Sequence, residues 1–167
     1  SELGCVTPWI VAPQAWTAAQ MDHQVKQLFA ALYSNAGANC NSPKVVVLTK
    51  PWPQAAAFVR QLRQEMKNSP LPVAYYPGTK ERWIAFRQTY PDAVELGDDS
   101  FKTIGQRGLA SSAVVLPWLL IDGVRVDLTT EQGRQAAATE YAFRNEPFAP
   151  IVTIAYTDDL PTAVQLA

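Results

Sequence analysis

The sequence predicts a single α/β domain in which helices pack against a largely parallel sheet. Strand-like apolar runs alternate with amphipathic helical patterns along all 167 residues. The run "KVVVLTK", Lys44–Lys50, holds four consecutive apolar residues, three of them β-branched. An apolar run that does not alternate suits a strand buried on both faces of a parallel sheet. The length fits one domain with a substantial core.

The first half of the chain contains two strand patterns and two helix patterns. "PWIVA", Pro8–Ala12, is expected to form a short strand. Trp16 to about Tyr33 repeats apolar residues at steps of three and four, as a helix does, and Asn35 and Gly37, which tolerate left-handed backbone, end it. A second helix follows Pro53, and its apolar face consists of Ala55, Phe58, Val59, Leu62 and Met66.

The middle of the chain gives weaker signals. "VAYYPG" is a candidate strand, Thr79 is expected to cap the helix "KERWIAFRQTY", and "AVELG" is a short strand. Residues 98–110 are expected to form a loop. "SSAVVLPWLLIDGVRVD" predicts either two strands or one strand that Pro117 interrupts and confines to an edge of the sheet.

The last third of the chain returns to clear patterns. "TTEQGRQAAATEYAFRN" is helix-like although it contains Gly133, and "PIVTIAY" is a strand. Asp158 or Asp159 is expected to cap the helix "LPTAVQLA".

Composition excludes several classes of function. Fourteen basic residues balance fifteen acidic ones, and the chain has no basic block of the kind that binds nucleic acid or acidic lipid. No apolar run reaches the length of about 18 residues that a transmembrane helix needs, and the first residues lack the pattern of a signal peptide. We therefore expect a cytoplasmic protein that binds neither membranes nor nucleic acid.

The two cysteines do not form a disulfide scaffold. With His23 as the only histidine, they also cannot build a structural zinc site unless carboxylates complete it. No metal site is expected.

Cys40 lies in the turn "NAGANCNSPK", between a helix and a buried strand. It can be an inert small hydrophobe, half of a disulfide, a metal ligand or a nucleophile. A thiolate in such a turn can attack a carbonyl, and the backbone N–H of the same residue can help to hold the oxyanion that results. On composition alone, a structural cysteine is the commoner case.

Two glutamates are candidates for a role beside this thiol. Glu2 can activate water if it lies near Cys40, although a glutamate near a chain end is usually only solvated. Glu146 lies in the rigid turn "RNEPFAP" before a strand, where it is suited to accept hydrogen bonds from a ligand. Such turns are as often purely structural.

Together, three stretches resemble motifs of the aldehyde dehydrogenase superfamily. They are "ELGCVTP" at 2–8, "NAGANC" at 35–40 and "NEPFAP" at 145–150. The family carries Glu-Leu-Gly-Gly-Lys, then Asn-x-Gly-Gln before a cysteine, then Glu-x-Phe-Gly-Pro. The closing "YTDDLPTAVQLA" also resembles the strand-to-helix segment that follows in the family. The resemblance implies a three-layer α/β/α fold with a mostly parallel sheet.

The resemblance also implies roles for individual residues. Cys40 matches the nucleophile that adds to an aldehyde, and its backbone N–H matches one arm of the oxyanion hole. Glu2 matches the base that activates the hydrolytic water. Glu146 matches the carboxylate that binds the nicotinamide ribose of NAD or NADP, and Phe148 matches the aromatic residue beside the nicotinamide.

The chain departs from the family motifs at four positions. Cys5 and Val6 replace a Gly and a Lys, Ala38 replaces the usual Gln, and Ala149 replaces a Gly. Glycines at such positions often allow close approach of backbone, so these side chains are expected to narrow the site or loosen cofactor binding. They bear on activity rather than on fold.

In the family, the nucleotide-binding domain and a second oxyanion-hole residue precede Glu-Leu-Gly. No Gly-rich dinucleotide fingerprint occurs in this chain. We therefore expect the cysteine-bearing catalytic domain alone, cut from a longer homo-oligomeric protein and unable to oxidise an aldehyde by itself. Transfer of the acyl group to coenzyme A, and a non-catalytic domain used in assembly or binding, remain as alternatives.

Overall fold

The structure is a computed structural model that describes residues 4–97 and 114–167. The strands are β1 Pro8–Ile10, β2 Val45–Thr49, β3 Val73–Ala74, β4 Val94–Leu96, β5 Val114–Val115, β6 Trp118–Arg125 and β7 Ile151–Thr157. Five of them form one sheet in the order β1-β2-β7-β6-β4, and the neighbours are parallel except for the antiparallel pair β4 and β6. A separate antiparallel pair is formed by β3 and β5.

The helices lie where the apolar periodicity predicts them, with sharper ends. Thr17 caps the first one: its side chain accepts a hydrogen bond from the Gln20 N–H, and the Gln20 side chain accepts one from the Thr17 N–H. Asp159 caps the last one by accepting from the Thr162 N–H. The helices are α1 Ala18–Tyr33, α2 Ala55–Asn68, α3 Thr79–Thr89, α4 Glu131–Thr139, α5 Tyr141–Arg144 and α6 Leu160–Leu166, and a short 3-10 turn spans Ser34–Gly37.

The buried strand β2 separates two helical layers. Val46 and Leu48 pack with α1 and α2 on one face of the sheet, and Val45 and Val47 pack with α4 and α6 on the other face. All five residues of β2 are buried. This confirms the three-layer fold with a mostly parallel sheet, and it explains why the Val-Val-Val-Leu run does not alternate in polarity.

The segment around Pro117 forms two separate strands, β5 and β6, which is the first of the two predicted alternatives. Pro117 lies between them, and β6 is an inner strand between β7 and β4. A proline just before the ladder removes no ladder hydrogen bond, and the Pro117 carbonyl accepts one from the Trp83 indole at 3.0 Å.

Thr79 does not cap α3, which corrects a prediction made from the sequence. Gly78 is the N-cap, with a φ of +77°, and the Thr79 hydroxyl instead donates to the Tyr76 carbonyl at 2.7 Å. Only Val73–Ala74 of "VAYYPG" is strand. The predicted loop at 98–110 lies outside the described residues.

The long helical pattern that contains Gly133 is interrupted at Glu140. The Glu140 side chain caps α5 by accepting from the Ala142 N–H, and the Tyr90 hydroxyl donates to the same carboxylate. Within the described part of the chain, no helix combines the length and the hydropathy that crossing a membrane requires.

Candidate active site

The three motif stretches meet at one edge of the sheet. The first leads into β1, the second into β2 and the third into β7, and these strands are neighbours and parallel. Their leading segments therefore lie side by side at the amino end of the sheet. Residues about 100 positions apart in sequence become neighbours because the strand order places them together.

A left-handed turn presents Cys40. Asn35, Ala36 and Gly37 have φ values of +50°, +55° and +76°, a backbone region that Asn and Gly tolerate better than other residues do. The Asn35 side-chain amide donates to the Asn39 side chain at 2.7 Å and braces the turn from within. The helix ends as the sequence predicts, and the chain then reverses toward β2.

Gly37 lies against the backbone of the third motif. A Cβ added to Gly37 would lie 2.5 Å from the Ala149 carbonyl oxygen, so only glycine lets these two segments approach this closely. Ala149 itself is fully buried and packs with Phe86, Leu119 and Ile151. Its methyl group therefore fills the core between sheet and helices, which corrects the expectation that this substitution narrows the site.

Cys40 is exposed, and its carbonyl is tied to the first motif. The Thr7 hydroxyl donates to the Cys40 carbonyl at 2.6 Å. The Cys5 sulfur lies 3.1 Å from the same hydroxyl; since a hydroxyl has one proton to donate, Cys5 is the donor there. Both cysteines are free. Among residues 4–97 and 114–167, the Cys40 N–H has no hydrogen-bond acceptor, so it is available to an oxyanion.

Lys44 is buried directly behind this turn. It is only 2% exposed, and its ammonium donates to the carbonyls of Gly37 at 2.5 Å and Asn39 at 2.9 Å. Desolvation lowers the Lys44 pKa from 10.5 to about 8, against the opposing attraction of Glu146, Cys5 and Cys40. The ammonium thus lies among the ionisable groups of all three motifs.

Phe148 and Glu146 of the third motif also lie near this ammonium. The Phe148 ring centroid is 5.5 Å from Lys44 Nζ, within the range of a cation–π contact. A Cβ on Gly4 would lie 3.2 Å from Glu146 Oε2, so the carboxylate reaches the first motif. Glu146 Oε1 is buried and has no hydrogen-bond partner among the described residues.

Arg82 on α3 fixes the backbone around Phe148. Its guanidinium donates to the Pro147 carbonyl at 2.9 Å and to the Pro77 carbonyl at 3.1 Å. Phe148 has a φ of +42°, an uncommon conformation for a bulky residue that surrounding contacts must hold. The Tyr76 ring supplies one of them, edge-to-face at 4.6 Å.

An open groove of about 800 Å³ runs beside Cys5 and Glu146. Polar and charged side chains of Arg82, Arg144 and Asn145 line part of it. A second, more apolar groove of about 520 Å³ lies at the opposite, carboxyl edge of the sheet, beside Trp52 and Asp158. No residue of the three motif stretches at 2–8, 35–40 and 145–150 lines that second groove, so the candidate nucleophile and its neighbours lie at the amino end of the sheet.

The structure thus brings Cys40, Glu146 and Phe148 together around Lys44, whereas Glu2 lies outside the described residues. No group of three or more His, Cys, Asp and Glu side chains in the described ranges is arranged to hold a metal ion. Sequence reasoning missed Lys44, which served only as the boundary of a strand. The signal was a lysine at the end of the cysteine turn, directly before a buried strand.

Comparison with known proteins places this arrangement in a fold class. No protein-family model matches the chain, and no curated protein sequence matches it. Solved structures do. Lactaldehyde dehydrogenase from Escherichia coli is similar over 98% of this chain and 32% of its own, with a TM-score of 0.68 and 18% sequence identity.

Two further structures give the same result. NADP-dependent glyceraldehyde-3-phosphate dehydrogenase from Bacillus halodurans C-125, solved with NADP, is 20% identical over 98% of this chain and 31% of its own, with a TM-score of 0.62. Methylmalonate-semialdehyde dehydrogenase from Oceanimonas doudoroffii is 19% identical over 98% and 32%, with a TM-score of 0.69. The chain has the aldehyde dehydrogenase fold, and it spans about a third of the length of these structures.

Proposed function

We propose that this chain is the cysteine-bearing part of an aldehyde dehydrogenase that uses NAD or NADP. The observation that carries the proposal is the convergence of the three motif segments at the amino edge of the sheet. It leaves Cys40 exposed, its N–H free of acceptors in the described ranges, and a buried cation behind it.

In this proposal the Cys40 thiolate attacks the aldehyde carbon. The electron pair of the carbonyl moves to oxygen, and the Cys40 N–H donates to that oxyanion. Loss of hydride from the tetrahedral carbon leaves a thioester on Cys40. Glu2 is proposed to deprotonate the water that hydrolyses this thioester and releases the acid.

One feature of the described residues, the side chain of Glu146, fits a nicotinamide cofactor. Glu146 Oε1 is a buried acceptor without a partner in the described part of the chain, and a ribose hydroxyl would satisfy it. Glu146 would hold the ribose, and Phe148 would pack beside the nicotinamide. When bound, this cofactor accepts the hydride that leaves the substrate.

Alkylation of the purified chain with limiting iodoacetamide tests the role of Cys40. Peptide mass spectrometry then compares Cys40 with Cys5, the other free and exposed thiol of the site. We expect Cys40 to be modified first, since the turn exposes its thiol and the buried ammonium is hydrogen-bonded to the two carbonyls of that turn. Equal or slower modification of Cys40 would contradict the proposal and would favour the non-catalytic alternative.

Turnover by the purified chain tests whether oxidation of an aldehyde requires a domain outside this chain. Since the chain spans about a third of the dehydrogenases it matches, we propose that a nucleotide-binding domain outside it supplies most cofactor contacts. The purified 167-residue chain, incubated with an aldehyde and NAD or NADP, is expected to form no reduced cofactor. Sustained formation that the substitution Cys40→Ser abolishes would show that the chain is sufficient.

A further inference from the structure

We propose that Lys44 is a positioning residue for Cys40: its ammonium holds the turn before the cysteine and stabilises negative charge on the cysteine sulfur. This inference rests on the proposed role of Cys40 as a nucleophile. No motif of the sequence assigns Lys44 a role, because its position marks the beginning of a strand.

The backbone of Lys44 is held on both sides, which fixes where its side chain begins. Its N–H donates to the Thr7 carbonyl at 2.8 Å, and its carbonyl accepts from the Thr153 N–H at 3.0 Å. The side chain is therefore anchored to the leading segment of β1 and to β7 at once. From this anchor the ammonium reaches back under the turn that carries Cys40.

The ammonium contacts that turn at two carbonyls, Gly37 O and Asn39 O. An ammonium has three protons to donate, and these two bonds use two of them. The bonds draw both carbonyls inward on the segment just before Cys40. The Cys40 N–H, which follows directly, is left without an acceptor in the described residues.

A buried cation is costly unless nearby negative charge compensates it. Within the described residues Lys44 forms no ion pair closer than 4.0 Å. The ionisable groups that act on it are Glu146, Cys5 and Cys40, one from each motif, and each raises its pKa against desolvation. The ammonium lies under the turn that carries Cys40, bonded to the carbonyls of Gly37 and Asn39, and a positive charge in that place favours the anionic form of a thiol on the turn.

Alkylation kinetics of three proteins separate the charge of Lys44 from its hydrogen bonds. The purified wild-type chain, Lys44→Met and Lys44→Gln are treated with iodoacetamide between pH 6 and pH 10, and modification of the Cys40 peptide is followed. Met retains the length without donors or charge, and Gln retains donors without charge. Circular dichroism first establishes that each variant is folded.

We expect Cys40 to react about tenfold more slowly at pH 7 in both variants, because the thiolate loses a neighbouring positive charge. The three rates are expected to converge at high pH, where the thiol is ionised in all three proteins and Lys44 is neutral. Rates that differ equally at every pH would indicate a purely structural effect and overturn the proposal. If Cys40 in Lys44→Gln reacted at the wild-type rate at pH 7, the charge of Lys44 would have no effect on Cys40. The hydrogen bonds of residue 44 would then account for the reactivity, and the proposed charge effect would be overturned.

A second measurement retains Lys44 and uses the chain with the substitution Cys5→Ser, in which Cys40 is the one remaining thiol of the sequence. Converting Cys40 to its small, uncharged S-methylthio form removes the thiolate, and NMR follows the titration of the Lys44 side chain before and after. The Lys44 pKa is expected to fall after modification, and an unchanged pKa would overturn the inference. Slow alkylation of Cys40 in the wild type would instead refute the proposed function, so the two failures are distinguishable.

Discussion

The substitution Gly37→Ala is expected to lower the free energy of unfolding by about 3 kcal/mol or more. A left-handed φ costs a non-glycine residue about 1–2 kcal/mol. At Gly37, with a φ of +76°, the added Cβ would also lie 2.5 Å from the Ala149 carbonyl oxygen. That atom belongs to backbone packed between sheet and helices, so it cannot move aside cheaply.

Gly123→Ala is the matched control for this substitution. Gly123 has a φ of +95°, but no atom lies within 4 Å of its added Cβ. It should therefore cost only the conformational strain, about 1–2 kcal/mol. Urea unfolding of both variants measures the difference. Equal losses of stability would mean that the contact between the cysteine turn and the third motif is looser than the structure has it.

The second large predicted effect is a rise in the free energy of unfolding with increasing pH, and Lys44 is its cause. The Lys44 pKa is 10.5 in its ordinary state and about 8 in the folded chain. Between these values the unfolded chain binds more protons than the folded one, so stability rises with pH. Each unit of pKa corresponds to about 1.4 kcal/mol. The free energy of unfolding is therefore expected to rise by about 3 kcal/mol across this interval because of Lys44.

Lys44→Met isolates this contribution from every other titrating group. Urea unfolding of the wild type and the variant at pH 7, 8, 9 and 10 gives the difference between their free energies of unfolding. This difference is expected to be constant near pH 7 and to shift in favour of the wild type above pH 8. A difference that does not change with pH would show that the ammonium is well solvated, which its burial contradicts.

Much of the fold can be predicted from the sequence because its signals are local. The non-alternating apolar run that begins at Val45 indicates a strand buried on both faces. The three- and four-residue spacing of apolar residues before Tyr33 indicates a helix. Pro117 shows where local reasoning leaves two alternatives open. Whether a proline lies within a ladder or just before it depends on where pairing with β7 begins, and only the assembled sheet decides that.

The site is predictable in part for the same reason. Cys40, Glu146 and Phe148 belong to motifs that can be recognised along the chain. Lys44 belongs to no motif, and its burial depends on Thr7 and Thr153, which flank it from distant segments. Charge normally predicts exposure for a lysine, so the sequence alone argued against the position that Lys44 occupies.

The convergence of the segments that lead into β1, β2 and β7 also has a consequence for synthesis of the protein on the ribosome. β2 begins at Val45 and β7 only at Ile151, so the neighbour that β2 needs on one side is synthesised long after β2 itself. Until then Lys44 has no ladder partner in β7 and Gly37 has no Ala149 carbonyl beside it, so the surroundings proposed to activate Cys40 are incomplete. Because non-local strand pairing is slow, the reactivity proposed for Cys40 is expected to arise only after β7 has been synthesised and has paired with β2.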